Sequence, residues 1–201
     1  TGRSHFDTMR NIPLETYQSE NGYSADTVTC AMYKTATQIE RKVYIGNILI
    51  DGIRYPDRMI ESPVDRFDTF PNDDLYFIDV AIADGDEIVH LDSIGNKLVQ
   101  FKKKTCYLIE VLDEGLEPLD IWQGAGIVSP SQVVKAGDGL VWVNNYGLFY
   151  YDGEKLKKIT AESFDLQSWI INENQENSTI LGYDEYSKKV IIMTSNLSTH
   201  D

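Results

Sequence analysis

Four acidic side chains, Asp84, Asp86, Glu87 and Asp92, crowd one short stretch of this sequence, and Asp73-Asp74 form a second pair. Glycosidic hydrolysis needs two carboxyls facing each other across a cleft, whereas carboxylates that neighbour one another on a turn point into water. Calcium also takes clustered oxygens, but Asp84-Gly-Asp86-Glu87 lacks the spacing of an EF-hand loop. Of the three histidines, His5 and His200 lie near the ends, and His90, between Ile88 and Leu91, reads as a partly buried strand residue. No Walker-type glycine loop, zinc-ligand spacing or nucleophile elbow is present. The sequence therefore assigns no catalytic, cofactor-binding or metal-binding residue, and the chain is not read as an enzyme.

What remains is contact chemistry. Lys102-Lys-Lys104 is the one basic run; it reads as a surface hairpin tip, with an acidic partner as the functional alternative. Trp122, just before Ala125-Gly126, suits a loop or an interface, the other reading being a blade-closing core residue. Exposed aromatics anchor protein contacts and stack on sugars. Tyr146 occupies the turn Asn144-Asn-Tyr-Gly147. Trp122, Lys102, Lys103, Lys104 and Tyr146 are thus the candidate interface residues, while Trp142, Tyr107 and Phe149 belong to the core. Asp184-Glu185 beside Lys188-Lys189 reads as a solvated charged turn.

Elements that could carry these residues are short strands. The 201 residues are 42% hydrophobic and 25% charged, a folded composition, and the twelve tyrosines and Val/Ile-rich runs favour strands. A net charge of −14 disfavours nucleic acid and anionic membranes as partners. No apolar run is long enough to span a bilayer, the first residues lack the apolar core of a signal peptide, and both ends read as cut. Cys30 and Cys106 sit in separate strand-like stretches. Two buried thiols in a reducing compartment fit them, with a disulfide as the alternative. Asn177-Ser-Thr179 and Asn196-Leu-Ser198 are read as chance glycosylation matches.

Glu87–Leu91, Lys97–Phe101 and Thr105–Val111 form a meander turned at Gly95-Asn96 and at the lysine run. Ser131–Lys135, Leu140–Val143, Leu148–Tyr151 and Lys155–Ile159 repeat that grammar through glycine-, asparagine- and aspartate-rich turns. An apolar second strand recurs as Lys42–Ile45, Lys97–Phe101, Gly139–Val143 and Lys189–Met193. The intervals, roughly 40 to 55 residues, match one four-stranded propeller blade. The expected fold is all-β with little helix: a propeller or partial propeller of four-stranded antiparallel blades over residues 27–201, preceded by an arm or incomplete blade over 1–26. A β-sandwich is the alternative. Ala161–Ile171 could form a short helix between blades.

Several stretches in order carry a resemblance. They are Asp51-Gly-Ile-Arg-Tyr-Pro-Asp-Arg-Met-Ile-Glu-Ser-Pro63, Val64-Asp-Arg-Phe-Asp-Thr-Phe-Pro71 and Phe77-Ile-Asp-Val-Ala-Ile-Ala-Asp-Gly-Asp-Glu-Ile-Val89. Leu98–Leu108 follows, and then Gly126-Ile-Val-Ser-Pro-Ser-Gln-Val-Val134, which runs on into Gly139–Gly153. This order resembles the propeller regions of tailed-bacteriophage virion proteins, chiefly tail and head–tail connector components, over roughly residues 40 to 160. The turn Asn144-Asn-Tyr146 departs from that group's Ser-x-Asp turn. The resemblance implies a rigid scaffold in the virion, assembled in the host cytoplasm into a symmetric oligomer with other virion proteins, without cofactor. A carbohydrate-binding or glycan-processing propeller that recognises a host surface is the alternative, and it would bring Trp122 or Tyr146 beside two carboxylates. An ordinary cellular scaffold propeller is the third reading.

Overall fold

The computed structural model describes residues 12–13, 31–50, 52–67, 70, 74–80, 84–112, 115–160, 171 and 179–194. Expectations for Cys30, Asp73, the two glycosylation patterns, most of the N-terminal arm and the helix over 161–170 fall outside these residues. Among the described residues the protein is all-β, built from antiparallel sheets. Among the described residues no helix is long and apolar enough to cross a membrane. The chain divides into two compact units, residues 1–102 with 107–120, and residues 103–106 with 121–201.

The first unit holds two sheets. In the first, β1 (Ile12–Pro13), β2 (Ala31–Tyr33), β4 (Lys42–Ile50), β5 (Ile53–Glu61) and β6 (Phe77–Asp79) lie in that order, and β3 (Thr35–Ile39) also pairs with β4. Strand β4 is apolar at most of its positions because both of its faces are covered. Ile45, Ile48 and Ile50 pack with Ile60 and Phe70 on one face. On the other face Tyr44 joins Ile39 and Met59 against the second sheet. That second sheet is a meander of β7 (Ile88–Ile94), β8 (Lys97–Lys102), β9 (Thr105–Leu112) and β10 (Gly115–Gln123). It contributes Ile88, Leu91, Leu98, Tyr107 and Ile109 to the shared core. Burying each such side chain contributes roughly 1.5–3 kcal/mol. The sheets approach so closely at Gly46 that an added Cβ would lie 3.0 Å from Leu91 Cδ1.

The second unit contains a third meander of β11 (Val133–Ala136), β12 (Gly139–Asn144), β13 (Gly147–Tyr151) and β14 (Leu156–Lys158), together with the hairpin β15 (Ile180–Asp184) and β16 (Lys189–Met193). The Ser-Pro-Ser-Gln stretch before β11 forms a one-turn 3-10 helix closed by a capping box between Ser129 and Gln132. Gln132 is fully buried and satisfied: its Oε1 accepts from the Val128 and Ser129 amides, and its Nε2 donates to Val143 O at 3.0 Å. Position 139 requires glycine, since a Cβ there would come within 2.6 Å of Tyr151 O. Val134, Ala136, Val141 and Val143 pack against Leu181, Tyr183, Val190 and Ile192 of the hairpin.

The four apolar segments singled out by their spacing become β4, β8, β12 and β16. Each directly follows an antiparallel partner across a short turn. Two sequence expectations change, and one strand was not anticipated. The segment from Ser131 begins as the 3-10 turn rather than as strand. Trp122, read as suiting a loop or an interface with a blade-closing core residue as the other reading, lies in the edge strand β10, which tolerates Pro118 because edge backbone need not donate to a neighbour. Segment 53–61, carrying Pro56, is a strand between β4 and β6, with the proline at a register shift where Gly46 pairs with Met59 but Ile48 pairs with Tyr55.

Candidate functional site

Of the five residues chosen from sequence, Lys102 requires a correction. It is fully buried, its Nζ lies 2.8 Å from Asp84 Oδ2, and it sits 5.5 Å above the Tyr107 ring. The reason is strand parity. Lys102 shares a face of β8 with Leu98, which lies in the core, so it points inward and carries its counter-charge with it. Asp84 is accordingly more than a solvated turn carboxylate. Partial burial works against its charge, but bonds from Lys102, the Asp86 amide and the Tyr107 hydroxyl outweigh that and lower its pKa. Glu87, another carboxylate of the same stretch, accepts from Lys34 Nζ and Asn47 Nδ2, each at 3.0 Å. These acidic groups thus answer cations and amides of neighbouring strands. Among the described residues no group of three or more His, Cys, Asp or Glu is placed to hold a metal ion.

Lys103 and Lys104 form the exposed turn between β8 and β9. Backbone bonding draws this turn into the second unit, where the Gly124 amide donates to Lys104 O at 2.9 Å. Gly124 O accepts from Asn144 Nδ2 at 3.0 Å, while Asn144 Oδ1 accepts the amides of Tyr146 and Gly147. Tyr146, about half exposed, lies against Gly124. The Asn-Asn-Tyr turn therefore presents an aromatic ring next to the backbone that carries the lysine turn.

Trp122 stands behind this surface. Its ring stacks on Trp142 at 6.0 Å and tilts against Tyr151 at 5.1 Å, and Trp142 donates from Nε1 to Ala125 O. The half-buried indole joins an aromatic cluster in which Phe149 also stacks on Trp142, at 5.6 Å. Trp122 thus meets two aromatic rings of the second unit, Trp142 and Tyr151. Trp142, Tyr107 and Phe149 are buried as expected, and His90 is a partly buried strand residue 3.4 Å from Thr35 Oγ1. Cys106 is a buried free thiol whose pKa burial pushes well up.

No family model and no curated protein matches this sequence.

One feature of the geometry escaped sequence reasoning. A cleft of about 570 Å³ opens in the first unit beside β6 and β10, lined by Lys42, Glu61, Phe77, Val80, Leu116 and Pro118 among others. Glu61 pairs across the sheet with Tyr44, and Lys42 Nζ binds Glu61 Oε1 at 3.0 Å. Glu61 Oε2 and Tyr44 Oη are buried neighbours, neither in a well-formed hydrogen bond. Burial first, and the Glu61 carboxylate second, push the Tyr44 phenol far up. Strand alternation could have placed Tyr44 inward, but pairing it with Glu61 requires the β4–β5 register.

Proposed function

We propose that this chain is a structural component of a tailed-bacteriophage virion, a rigid propeller-like scaffold for protein–protein assembly. The observation that carries the scaffold reading is that strands of equal rank meet. The first strand of one meander, β3, runs beside the first strand of the next, β7, with the Leu91 amide donating to Thr35 Oγ1 and Ser93 Oγ donating to Gln38 O. In the second unit β11 runs beside β15, and Ser131 Oγ donates to Thr179 O in the lead-in to those strands. Radially repeated blades bring their first strands together at the axis and pack face to face behind them. A sandwich of two meanders carries no such requirement.

The virion assignment rests on the order of motifs between residues 51 and 153, which resembles that of tail and connector propellers. Lys103, Lys104 and Tyr146 supply one contact surface, basic and aromatic on an acidic chain, suited to an acidic patch of a neighbouring virion protein. Quantitative mass spectrometry of purified particles should find the chain at a fixed copy number, and the Lys103→Glu/Lys104→Glu variant should enter particles poorly while its melting stays within about 0.5 kcal/mol of the parent. A chain abundant in the lysate yet missing from particles overturns the proposal.

A further inference from the structure

The hairpin of β15 and β16 leaves one edge open. In the meanders β7–β10 and β11–β14 the second strand pairs onward with a third, β8 with β9 and β12 with β13. Among the described residues β16 pairs with β15 alone. Its outer edge therefore presents main-chain donors and acceptors that can template another strand. The second unit already shapes the place such a strand would take. Val190 and Ile192 point inward from β16 and pack on the core of Val141, Val143 and Leu181. Leu148 and Tyr150 of β13, opposite Val143 and Val141, share that face and are only partly buried. Because β15 runs beside β11, the position beyond β16 lies toward β13, and a strand there would cover Leu148 and Tyr150.

Charge and symmetry narrow the occupant. Lys189 is exposed at one end of the edge, with Lys188 beside it in the turn. Asp184, across the hairpin from Lys189, accepts from the Tyr186 amide and the Ser187 hydroxyl of its own turn. That end favours an acidic side chain on an incoming strand. A second copy fits poorly. The two-fold axis of an antiparallel β16–β16 pair would set that copy's third meander where β13 already lies.

We propose that the outer edge of β16 is a strand-addition site for an extended segment of a second polypeptide. The segment runs antiparallel to β16, with apolar side chains at the alternate positions facing Leu148 and Tyr150 and an acidic one opposite Lys189. Main-chain bonds hold such a strand, and the alternate side chains select it. The site needs only the hairpin and the third meander, so it stands apart from the virion reading, whose test follows particle composition.

The probe is the capped peptide acetyl-Thr-Val-Thr-Val-Glu-amide, whose Glu falls opposite Lys189 and whose valines face inward. Titrated into the isotope-labelled chain, it should saturably move the amide resonances of Val190–Met193, Leu148 and Tyr150. Replacing its Glu by Lys should weaken binding about fivefold. Two further peptides carry N-methyl groups on alternate residues, one set blocking the amides that face β16 and the other those that face away. One of the two should bind about tenfold more weakly than the other. Equal binding of both methylated peptides would mean side-chain contact without strand pairing, and would overturn the proposal. So would the absence of saturable shifts at β16 up to the peptide's solubility limit. A concentration-dependent dimer that moves the same β16 resonances without peptide would make the edge a contact between copies, and overturns it as well.

Discussion

At the scale of single residues, the most consequential contact is the bond between Lys102 and Asp84. The lysine is fully buried, while the aspartate side chain keeps 29% of its surface in water. The two ends of the pair should therefore respond unequally to removal. Asp84→Asn leaves an ammonium in the core without its counter-charge, and should cost about 2 kcal/mol, less than a fully enclosed pair because water reaches the aspartate side. Lys102→Met removes the buried charge and lets Asp84 hydrate, so it should cost less than 1 kcal/mol or about that. The pH dependence follows from the lowered Asp84 pKa. Stability from a depressed carboxyl is complete above its unfolded value, about 3.9, and is lost as pH falls through the lower folded value. Urea melts at neutral pH and near pH 3 should show the gap between the parent and Asp84→Asn closing in acid. A gap that does not change with pH, or a Lys102→Met variant worse than Asp84→Asn, would sink this account.

At the scale of elements, the β4–β5 pairing turns on Asn47. It is fully buried, has φ 57°, and sits where the register shifts between Gly46 and Ile48. Its Nδ2 donates to Ile88 O and Glu87 Oε2, and its Oδ1 accepts from Arg54. Replacing it by Ala or Gly removes the same bonds, but only Ala is strained at positive φ. Asn47→Gly should therefore be about 1 kcal/mol more stable than Asn47→Ala in chemical denaturation, the reverse of the usual order inside a strand. Equal stabilities would mean that the bulge relaxes when its side-chain bonds go.

The same strands explain what the sequence could disclose. Strands β7 to β9 and β11 to β14 were legible because glycine, asparagine and aspartate punctuate alternating apolar runs. Strands β5 and β10 were not, because Pro56 and Pro118 argue against strand unless a bulge or a free edge is already known. Lys102 was legible in principle by its parity with Leu98, but three lysines in a row read as a turn. The cleft was out of reach, since Tyr44, Glu61 and Leu116 come together only through pairing and sheet packing.

At the scale of the whole molecule, repeated sheets imply that stability is nearly a sum of sheet terms and neighbour terms. Thr35 and Ser131 test this, because each ties one repeat to the next through a hydroxyl. Thr35→Val leaves the buried Leu91 amide without its acceptor and should cost roughly 1–3 kcal/mol. Ser131→Ala frees Thr179 O and should cost about 1 kcal/mol. Hydrogen exchange read by mass spectrometry should speed up in peptides covering β3, β4 and β7 for Thr35→Val, with β11 to β16 unchanged. For Ser131→Ala the faster peptides should cover β11 and β15, with β3 to β8 unchanged. Local opening of this kind follows when each neighbour contact belongs to its own cooperative unit. If either variant instead loosened all the strands to the same degree, the chain would be one fused core and the additive, repeat-by-repeat account would fail.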